Sequence, residues 1–308
     1  MLPSRTPLTL PVAVRHGARP GPRLWLSASI HGDEANGIEI VRRVLARVEP
    51  ARLAGALIAL PIVNVFGFLA GSRYLPDRRD LNRSFPGSPQ GSLAARLAHL
   101  IMREIVANCT HGIDLHTGSN RRENLPQIRA VLEDDATRRL AEAFGAPVVV
   151  NARTRDGSLR EAATRRGRTV LVYEAGETLR FSPEAIRIGV AGVLRAMRAI
   201  GMGSFGAPRP ARPPLRVDRS RWIRARRSGV ARLEVRLGAR VRKGQPLGDI
   251  CDGFGARVAR ITASVSGIVI GINNNPLVHQ GDALVHVGEA ARPTAESTDI
   301  KGGRQRSG

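Results

Sequence analysis

Cysteine, lysine and aromatic residues are scarce in this chain of 308 residues, and each shortage argues against a class of protein. Two cysteines, Cys109 and Cys251, are too few for a disulfide framework or a four-cysteine zinc site. We therefore expect a reducing compartment, the cytoplasm. Aromatic residues make up only 4% of the chain, which leaves few platforms for stacking single-stranded nucleic acid.

Positive charge is abundant, but it is not organised as a nucleic-acid-binding surface. The net charge is +22, and only Lys243 and Lys301 among the 48 basic residues are lysine. The arginines are scattered through nearly every segment rather than gathered in one arm or helix face. We predict no specific nucleic-acid partner, although a chain of this charge will adhere to polyanions at low salt.

Long apolar runs are also few. One uncharged stretch, 53–72, approaches the length of a membrane span, but Gly55, Pro61 and Asn64 interrupt it. Its first half, ALIALPIV, is typical of a buried strand. The N-terminal residues lack the unbroken apolar segment of a secretory signal. The sequence thus predicts a soluble protein with no membrane partner.

From Thr6 to Ile200, strand-like and helix-like segments alternate, which indicates an α/β domain over 1–205 with helices covering a mostly parallel sheet. The predicted strands are 23–30, 56–63, 112–115, 128–132, 147–150 and 169–173. The predicted helices are 34–48, 92–107, 135–144 and 183–200. Ser92 and Ser182 are candidate N-caps.

The sequence changes character at the Pro-rich segment 206–216, which predicts a linker. Short β-like segments punctuated by glycine follow, and predict a small all-β barrel or sandwich over 217–288. Their pattern resembles a lipoyl or biotinyl barrel. A covalent carrier domain of that kind needs a lysine for modification in the ASVSGIV region, and no lysine lies there. We expect this domain to shield or border the mouth of the active site. The polar residues 289–308 predict a disordered tail.

Ionisable side chains follow three of the predicted strands. His31 ends the first, with Glu34 three residues later, and His116 ends another, with Asp114 on the same face. Two histidines and one glutamate can hold zinc and leave its fourth position open, as catalytic sites require. Glu174 follows a third strand, and a carboxylate there can serve as an acid–base group. In α/β proteins such groups converge beyond the carboxyl ends of the strands.

Four motifs occur in order: HGDE at 31–34, SRYLPDRRDLNRSFPG at 72–87, DLHTG at 114–118 and YEAGE at 173–177. Together they resemble the succinylglutamate desuccinylase/aspartoacylase family, a deacylating branch of the zinc carboxypeptidase superfamily. The similarity covers about 5–200. It implies a zinc-carboxypeptidase-like mixed, mostly parallel sheet flanked by helices.

The resemblance also implies roles for individual residues and a cofactor of one Zn²⁺ per chain. The implied zinc ligands are His31, Glu34 and His116. Glu174 would be the general base and acid, and Arg73 would polarise the scissile carbonyl. Asn82 and Arg83 would grip a substrate carboxylate, for which a guanidinium fork is well suited.

Two further residues are less closely determined. Asp114 either orients a site group such as His116 from behind or simply caps a turn. Arg160 of GSLREAA matches a further substrate-carboxylate contact of aspartoacylases, but the flanking sequence departs from theirs and lacks the neighbouring tyrosine. This departure weakens the expectation that the substrate is acetylaspartate.

The leading hypothesis is a zinc-dependent amidohydrolase that deacylates an N-acyl amino acid or a related small amide. Within the same chemistry, the alternative is a zinc carboxypeptidase acting on peptides. From another class, the chain could be an Arg-rich nucleic-acid-binding protein with a non-functional site, although every matched position is intact. The identity of the acyl group and the amine stays open, as does assembly into a homo-oligomer.

Overall fold

The computed structural model describes residues 8–210 and 212–290. The strands are β1 (Ala13–His16), β2 (Arg19–Ala28), β3 (Ala54–Leu60), β4 (His111–Gly118), β5 (Arg122–Ala130), β6 (Val148–Asn151), β7 (Thr169–Glu177), β8 (Leu215–Arg224), β9 (Gly229–Leu233), β10 (Arg240–Val241), β11 (Pro246–Cys251), β12 (Arg257–Thr262), β13 (Gly267–Asn273), β14 (Leu277–Val278) and β15 (Ala283–Ala290). The α-helices are α1 (Asn36–Leu45), α2 (Val65–Leu69), α3 (Leu93–Glu104), α4 (Asp135–Phe144), α5 (Leu159–Thr164) and α6 (Pro183–Ala199).

An 11-stranded sheet in the order β1-β3-β2-β4-β7-β5-β6-β8-β15-β13-β10 organises the molecule. Strands β3, β2, β4 and β7 are successive parallel neighbours. Strand β5 pairs antiparallel with β7 and parallel with β6. The predicted α/β class is confirmed and the sheet is mixed. Its parallel character belongs mainly to the first two hundred residues, because the strands from β8 onward add antiparallel pairs, apart from the parallel pairing of β8 with β6.

Helices pack on both faces of this sheet because successive strand residues point to opposite sides. On β2, Leu24 and Leu26 join one core cluster with α1, α4 and α6. Between them, Trp25 joins another cluster with α3 and α5. The predicted N-caps are present: the side chains of Ser92 and Ser182 accept hydrogen bonds from backbone amides in the first turns of α3 and α6.

Two strands that border the site extend beyond their predicted ends. Strand β4 continues to Gly118 rather than stopping at Leu115, and β5 begins at Arg122 rather than near Ile128. The early part of β5 escaped prediction because Arg122, Glu123 and Asn124 are polar and Pro126 follows. Pairing with the distant strand β13 holds these residues extended, which no local pattern could indicate.

The segment after the Pro-rich stretch is all-β, as predicted, but its strands belong to two sheets. Strands β8, β15, β13 and β10 extend the main sheet, and β12, β11, β9 and β14 form a second, four-stranded one. Strand β8 pairs directly with β6 across the predicted linker. The domain boundary at 206–216 therefore stays a prediction. The predicted tail lies outside the described residues from 291 onward, and its first two residues belong to β15.

The uncharged stretch 53–72 forms strand β3 and the short helix α2. Among the described residues, no helix has both the length and the apolar character needed to cross a bilayer.

Candidate active site

The parallel strands β2, β4 and β7 bring the predicted ionisable residues to one edge of the sheet. His31 follows the end of β2, and His116 lies near the end of β4. Glu174 lies on β7 directly opposite His116 in the strand register. Glu34 lies in the turn between β2 and α1, just before α1 begins. The strand order thus converges residues that are far apart in sequence, as expected for the carboxyl edge of such a sheet.

The turn after β2 requires a particular backbone path. Ser29 adopts φ of 53°, in the left-handed region, and its hydroxyl donates to the carbonyls of His31 and Gly32. Gly32 packs so closely that a Cβ there would overlap the backbone of Gly67 and Phe68. The glycine of the HGDE motif is therefore a steric requirement of the turn that aims His31 and Glu34.

His31, Glu34 and His116 form a compact buried cluster whose ligand atoms lie within 4.8 Å of one another. The Nδ1 atoms of His31 and His116 lie 2.8 Å from Oε1 and Oε2 of Glu34, respectively. The Thr117 amide also donates to Glu34 Oε2 at 3.1 Å. Two imidazoles and one carboxylate, converging and shielded from solvent, are the donor set of a catalytic zinc site.

The outer nitrogens of both histidines face carboxylates. His116 Nε2 lies 2.7 Å from Asp114 Oδ2. The other carboxylate oxygen of Asp114 accepts a hydrogen bond from the Ser27 hydroxyl at 2.7 Å. His31 Nε2 lies 3.4 Å from Asp80 Oδ1, close enough for an ion pair but without hydrogen-bond geometry. A metal-binding histidine ordinarily presents one nitrogen to the ion and the other to a carboxylate or carbonyl. The residues present therefore fit a zinc ion held through both Nδ1 atoms and Glu34.

Electrostatics in the cluster favour an ionised Glu34. Burial alone would raise the pKa of this carboxyl, but the attraction of His31 and His116 outweighs burial and holds the pKa well below its usual range. Burial would lower the pKa of the His116 imidazole, yet Asp114 and Glu34 raise it well above its ordinary value. Asp114 lies inside strand β4, so its geometry fits the orienting alternative better than a turn cap.

Glu174 lies in the same cavity as His31, Glu34 and His116, and two residues of β5 contact its carboxylate. The Asn124 amide donates to Oε2 at 2.6 Å, and Arg129 Nε lies 3.3 Å from Oε1. The side chain of Glu174 is 22% exposed, so its carboxylate can reach a bound substrate or water. The sequence did not indicate either partner. Asn124 and Arg129 both lie on β5 and meet Glu174 only because β5 pairs with β7.

The predicted arginines occupy different environments in this cavity. Arg73 donates to Asp80 at 2.8 Å, and its Nη1 lies 3.8 Å from Glu34 Oε1. Asp80 therefore bridges His31 and Arg73. It lies within the motif at 72–87, which is the signal that could have identified it. Arg83 is exposed at the cavity wall.

Asn82 and Arg160 line the cavity and also brace its walls. Asn82 Oδ1 accepts the Leu159 amide at 2.9 Å, which ties the 72–87 segment to α5. The Arg160 guanidinium is buried and donates to the carbonyls of Ala152 at 3.0 Å and Arg153 at 2.7 Å. Burial and then the neighbouring Arg129 lower the pKa of Arg160 to about 10, which leaves it cationic at neutral pH.

The cavity has a volume of about 420 Å³ and extends beyond the residues named from the sequence. The C-terminal strands contribute Ser220, Trp222 and His286, so the all-β segment does border the site. Further arginines line it as well: Arg122, Arg129, Arg153 and Arg155. Among 46 arginines, no sequence signal separated these from surface residues. His286 is buried at the cavity wall.

Comparison with known proteins agrees with this geometry. Residues 20–200 match the model of the succinylglutamate desuccinylase/aspartoacylase catalytic domain. An N-alpha-acetyl-L-2,4-diaminobutyric acid deacetylase of Halomonas elongata is 28% identical over 282 residues, which cover 87% of this chain and 82% of that protein.

Solved structures share this fold over most of the chain. A succinylglutamate desuccinylase/aspartoacylase of Rhodobacter sphaeroides superposes with a TM-score of 0.83 at 29% identity, covering 92% of this chain and 90% of the other. The product-bound ectoine utilization protein EutE of Ruegeria pomeroyi gives a TM-score of 0.83 at 27% identity, covering 92% and 89%. The resemblance drawn from the four motifs is confirmed, and the chain belongs to the succinylglutamate desuccinylase/aspartoacylase family.

Proposed function

We propose that the protein is a zinc-dependent deacylase that hydrolyses the amide bond of an N-acyl amino acid. The observation that carries this proposal is the buried cluster of His31, Glu34 and His116, in which each histidine turns one nitrogen inward and the other toward a carboxylate. When bound, a zinc ion supplies Lewis acidity and lowers the pKa of a water molecule toward neutrality.

Glu174 is the proposed acid–base residue. Its carboxylate accepts a proton from the attacking water and later delivers it to the departing amine nitrogen as the C–N bond breaks. Asn124 and Arg129 fix the carboxylate in place through Oε2 and Oε1. The products are the free carboxylate of the acyl group and the free amino acid, so atoms and charge balance with one water consumed.

Arginines supply the remaining functions. Arg73 lies beside the metal cluster, 3.8 Å from Glu34, where a cation can stabilise the negative charge that develops on the carbonyl oxygen. Asn82 and Arg83 lie on the cavity wall, where they bind the substrate carboxylate. Arg160 is the second candidate for that contact, although two of its nitrogens already serve backbone carbonyls.

The cavity favours deacylation over carboxypeptidase activity. Trp222 and His286 of the C-terminal strands form part of its wall, and the volume of about 420 Å³ suits a small acylated amino acid. The Halomonas elongata relative is named as a deacetylase, which supports the same reaction class.

A substrate panel tests the proposal. The purified protein is treated with a chelator, reloaded with Zn²⁺ and assayed for free amine with N-acetyl and N-succinyl amino acids and with unblocked dipeptides. We expect hydrolysis of acyl amino acids that depends on zinc and is lost in His116→Ala, while His279→Ala, which alters an exposed histidine, keeps it. Faster release from dipeptides than from acyl amino acids would instead support the carboxypeptidase.

A further inference from the structure

The first part of β5 lies between β7 and the C-terminal strand β13. It pairs antiparallel with both strands. Asn124 is the residue at which the two pairings meet, and its register partners are Gly176 on β7 and Gly271 on β13. Register partners point to the same face of a sheet, so the two glycines leave space on that face for the Asn124 side chain alone.

The Asn124 carboxamide joins the proposed acid–base residue to β13. Its Nδ2 donates a hydrogen bond to Glu174 Oε2 at 2.6 Å. Its Oδ1 lies against Gly271, where an added Cβ would come within 3.1 Å of that oxygen. Asn124 is only 6% exposed, so this hydrogen bond is largely shielded from competing water.

The space at Gly271 is limited on more than one side. An added Cβ would also lie 3.2 Å from the Cβ of His286 and 3.5 Å from a ring carbon of Trp222. The Cβ of His286 is fixed to the backbone of β15, and the Trp222 ring is stacked on the His286 imidazole. The Asn124 carboxamide is the end of a rotatable side chain, so it is the group that would move.

A second contact connects the same part of β5 to β13. Gln127 is fully buried and lies opposite Glu174 in the register of β5 and β7. Its Nε2 donates to the carbonyl of Ile270 on β13 at 3.2 Å. Strand β13 therefore contacts β5 both at the residue that donates to Glu174 and at the residue opposite it.

The two neighbours of the Glu174 carboxylate differ in what they provide. Asn124 donates a hydrogen bond to Oε2. Arg129 Nε lies 3.3 Å from Oε1 but makes no hydrogen bond in the described part of the chain. A hydrogen bond to one oxygen restricts rotation about the last side-chain torsion of a glutamate, which an ion pair without directional geometry does less well.

We propose that Asn124 is a positioning residue for Glu174 and that Gly271 keeps Asn124 in place. The C-terminal segment then takes part in orienting the acid–base group and does not merely border the cavity. The proposal rests on the deacylase function proposed above, in which Glu174 moves the proton. A carboxylate that is oriented before the substrate binds needs no rearrangement during the reaction, and small displacements of such a group slow turnover.

Steady-state kinetics of the zinc-loaded full-length protein test the role of Asn124. Asn124→Ala removes the donor, and Asn124→Asp keeps the shape but places a second carboxylate beside Glu174. We expect each variant to lower kcat by about 10- to 100-fold, with KM within about twofold of the wild type. Zinc content should be unchanged. Asn108→Ala, an exposed asparagine outside the cavity, should match the wild type.

Double variants separate positioning from a general loss of structure. Because Asn124 acts through Glu174, Asn124→Ala should change the residual kcat of Glu174→Ala by less than about twofold. Gly271→Ala should lower the kcat of the wild type by about three- to tenfold, but should have little further effect on Asn124→Ala. Gly253→Ala, where a Cβ meets open space, is the control.

Nuclear magnetic resonance of the side-chain amides gives a readout that does not depend on turnover. The Asn124 amide signal is identified by its loss in Asn124→Ala. One of its protons should lie downfield in the wild type, because it is bonded to a carboxylate, and should move upfield in Glu174→Ala and in Gly271→Ala. The comparison of the wild type with Glu174→Ala holds even if Gly271→Ala fails to fold.

Several results would overturn the proposal. Wild-type kcat in Asn124→Ala would exclude Asn124, and so would an equal fold loss from Asn124→Ala in the wild type and in Glu174→Ala. An unchanged Asn124 amide signal in Glu174→Ala would do the same. Wild-type kcat in Gly271→Ala would exclude Gly271. Wild-type kcat in Glu174→Ala itself would instead refute the proposed function, so the two failures are distinguishable.

Discussion

Asp114 and His116 lie two residues apart on one face of β4, and Asp114 Oδ2 lies 2.7 Å from His116 Nε2. Strand periodicity alone brings this carboxylate behind the imidazole, whose Nδ1 then faces Glu34. Ser27 on the adjacent strand β2 fixes the other Asp114 oxygen. The pair orients His116 from within a single strand, so the ligand geometry is set before any substrate binds.

Asp114→Asn should therefore weaken metal binding without removing a ligand. We expect zinc affinity to fall by about 10- to 100-fold, the usual effect of losing such an outer carboxylate. Competition with a chromogenic chelator measures this directly, and the exposed Asp218→Asn serves as the matched control. Unchanged affinity in Asp114→Asn would show that Asp114 does not support the metal.

His116→Ala should remove metal and activity together, because it deletes one of three ligands. The wild-type protein should carry about one zinc per chain by elemental analysis. His279→Ala, an exposed histidine, should match the wild type. Wild-type zinc content in all three of His31→Ala, Glu34→Ala and His116→Ala would refute the ligand assignment.

Glu174→Ala should keep its zinc but lose turnover. Loss of general acid–base help is expected to lower kcat by about 10²- to 10⁴-fold. Elemental analysis and steady-state kinetics on the same preparation separate the two properties, with the exposed Glu142→Ala as the control. Near wild-type kcat would exclude Glu174 from the mechanism.

Arg73 and Arg83 should affect different kinetic constants. Arg83→Ala should mainly raise KM, since a carboxylate clamp binds the ground and transition states about equally. Arg73→Ala should mainly lower kcat, by about 10²- to 10³-fold, because its charge acts once the oxyanion develops. Arg79→Ala, an exposed arginine of the same segment, is the control.

Substrates with and without the α-carboxylate complete this test. Arg83→Ala should penalise an acyl amino acid more than its α-amide. An equal penalty on both would show that Arg83 is not the clamp.

Gly32→Ala should destabilise the protein and displace His31 and Glu34 from their positions in the proposed metal site. A Cβ at this position overlaps the backbone of Gly67 and Phe68, which cannot move as a flexible side-chain end could. We expect a loss of about 1–3 kcal/mol in the free energy of unfolding, typical of overpacking. Thermal denaturation measures it, with Gly253→Ala, where a Cβ meets open space, as the control.

Much of the scaffold was predictable from local patterns. Helix α4 spans the predicted residues, because Asp134 accepts a hydrogen bond from the Thr137 amide and Gly145 ends the helix with φ of 69°. The buried runs that became β2, β3 and β7 were also identifiable, although their ends were not. Strand ends depend on pairing with neighbours, as the early start of β5 against β13 shows.

The sequence by itself determined the family, the α/β class and the ionisable residues of the four motifs, because those residues lie at fixed spacings beside strands and turns. Only the tertiary structure decided which arginines share the cavity and which groups surround Glu174. Arg122, Trp222 and His286 lie on strands far apart in the chain, and sheet pairing alone brings them together. Contacts of that kind leave no periodic pattern in the sequence. The alternation along a strand shows which of its residues share a face, but not which strand pairs with it.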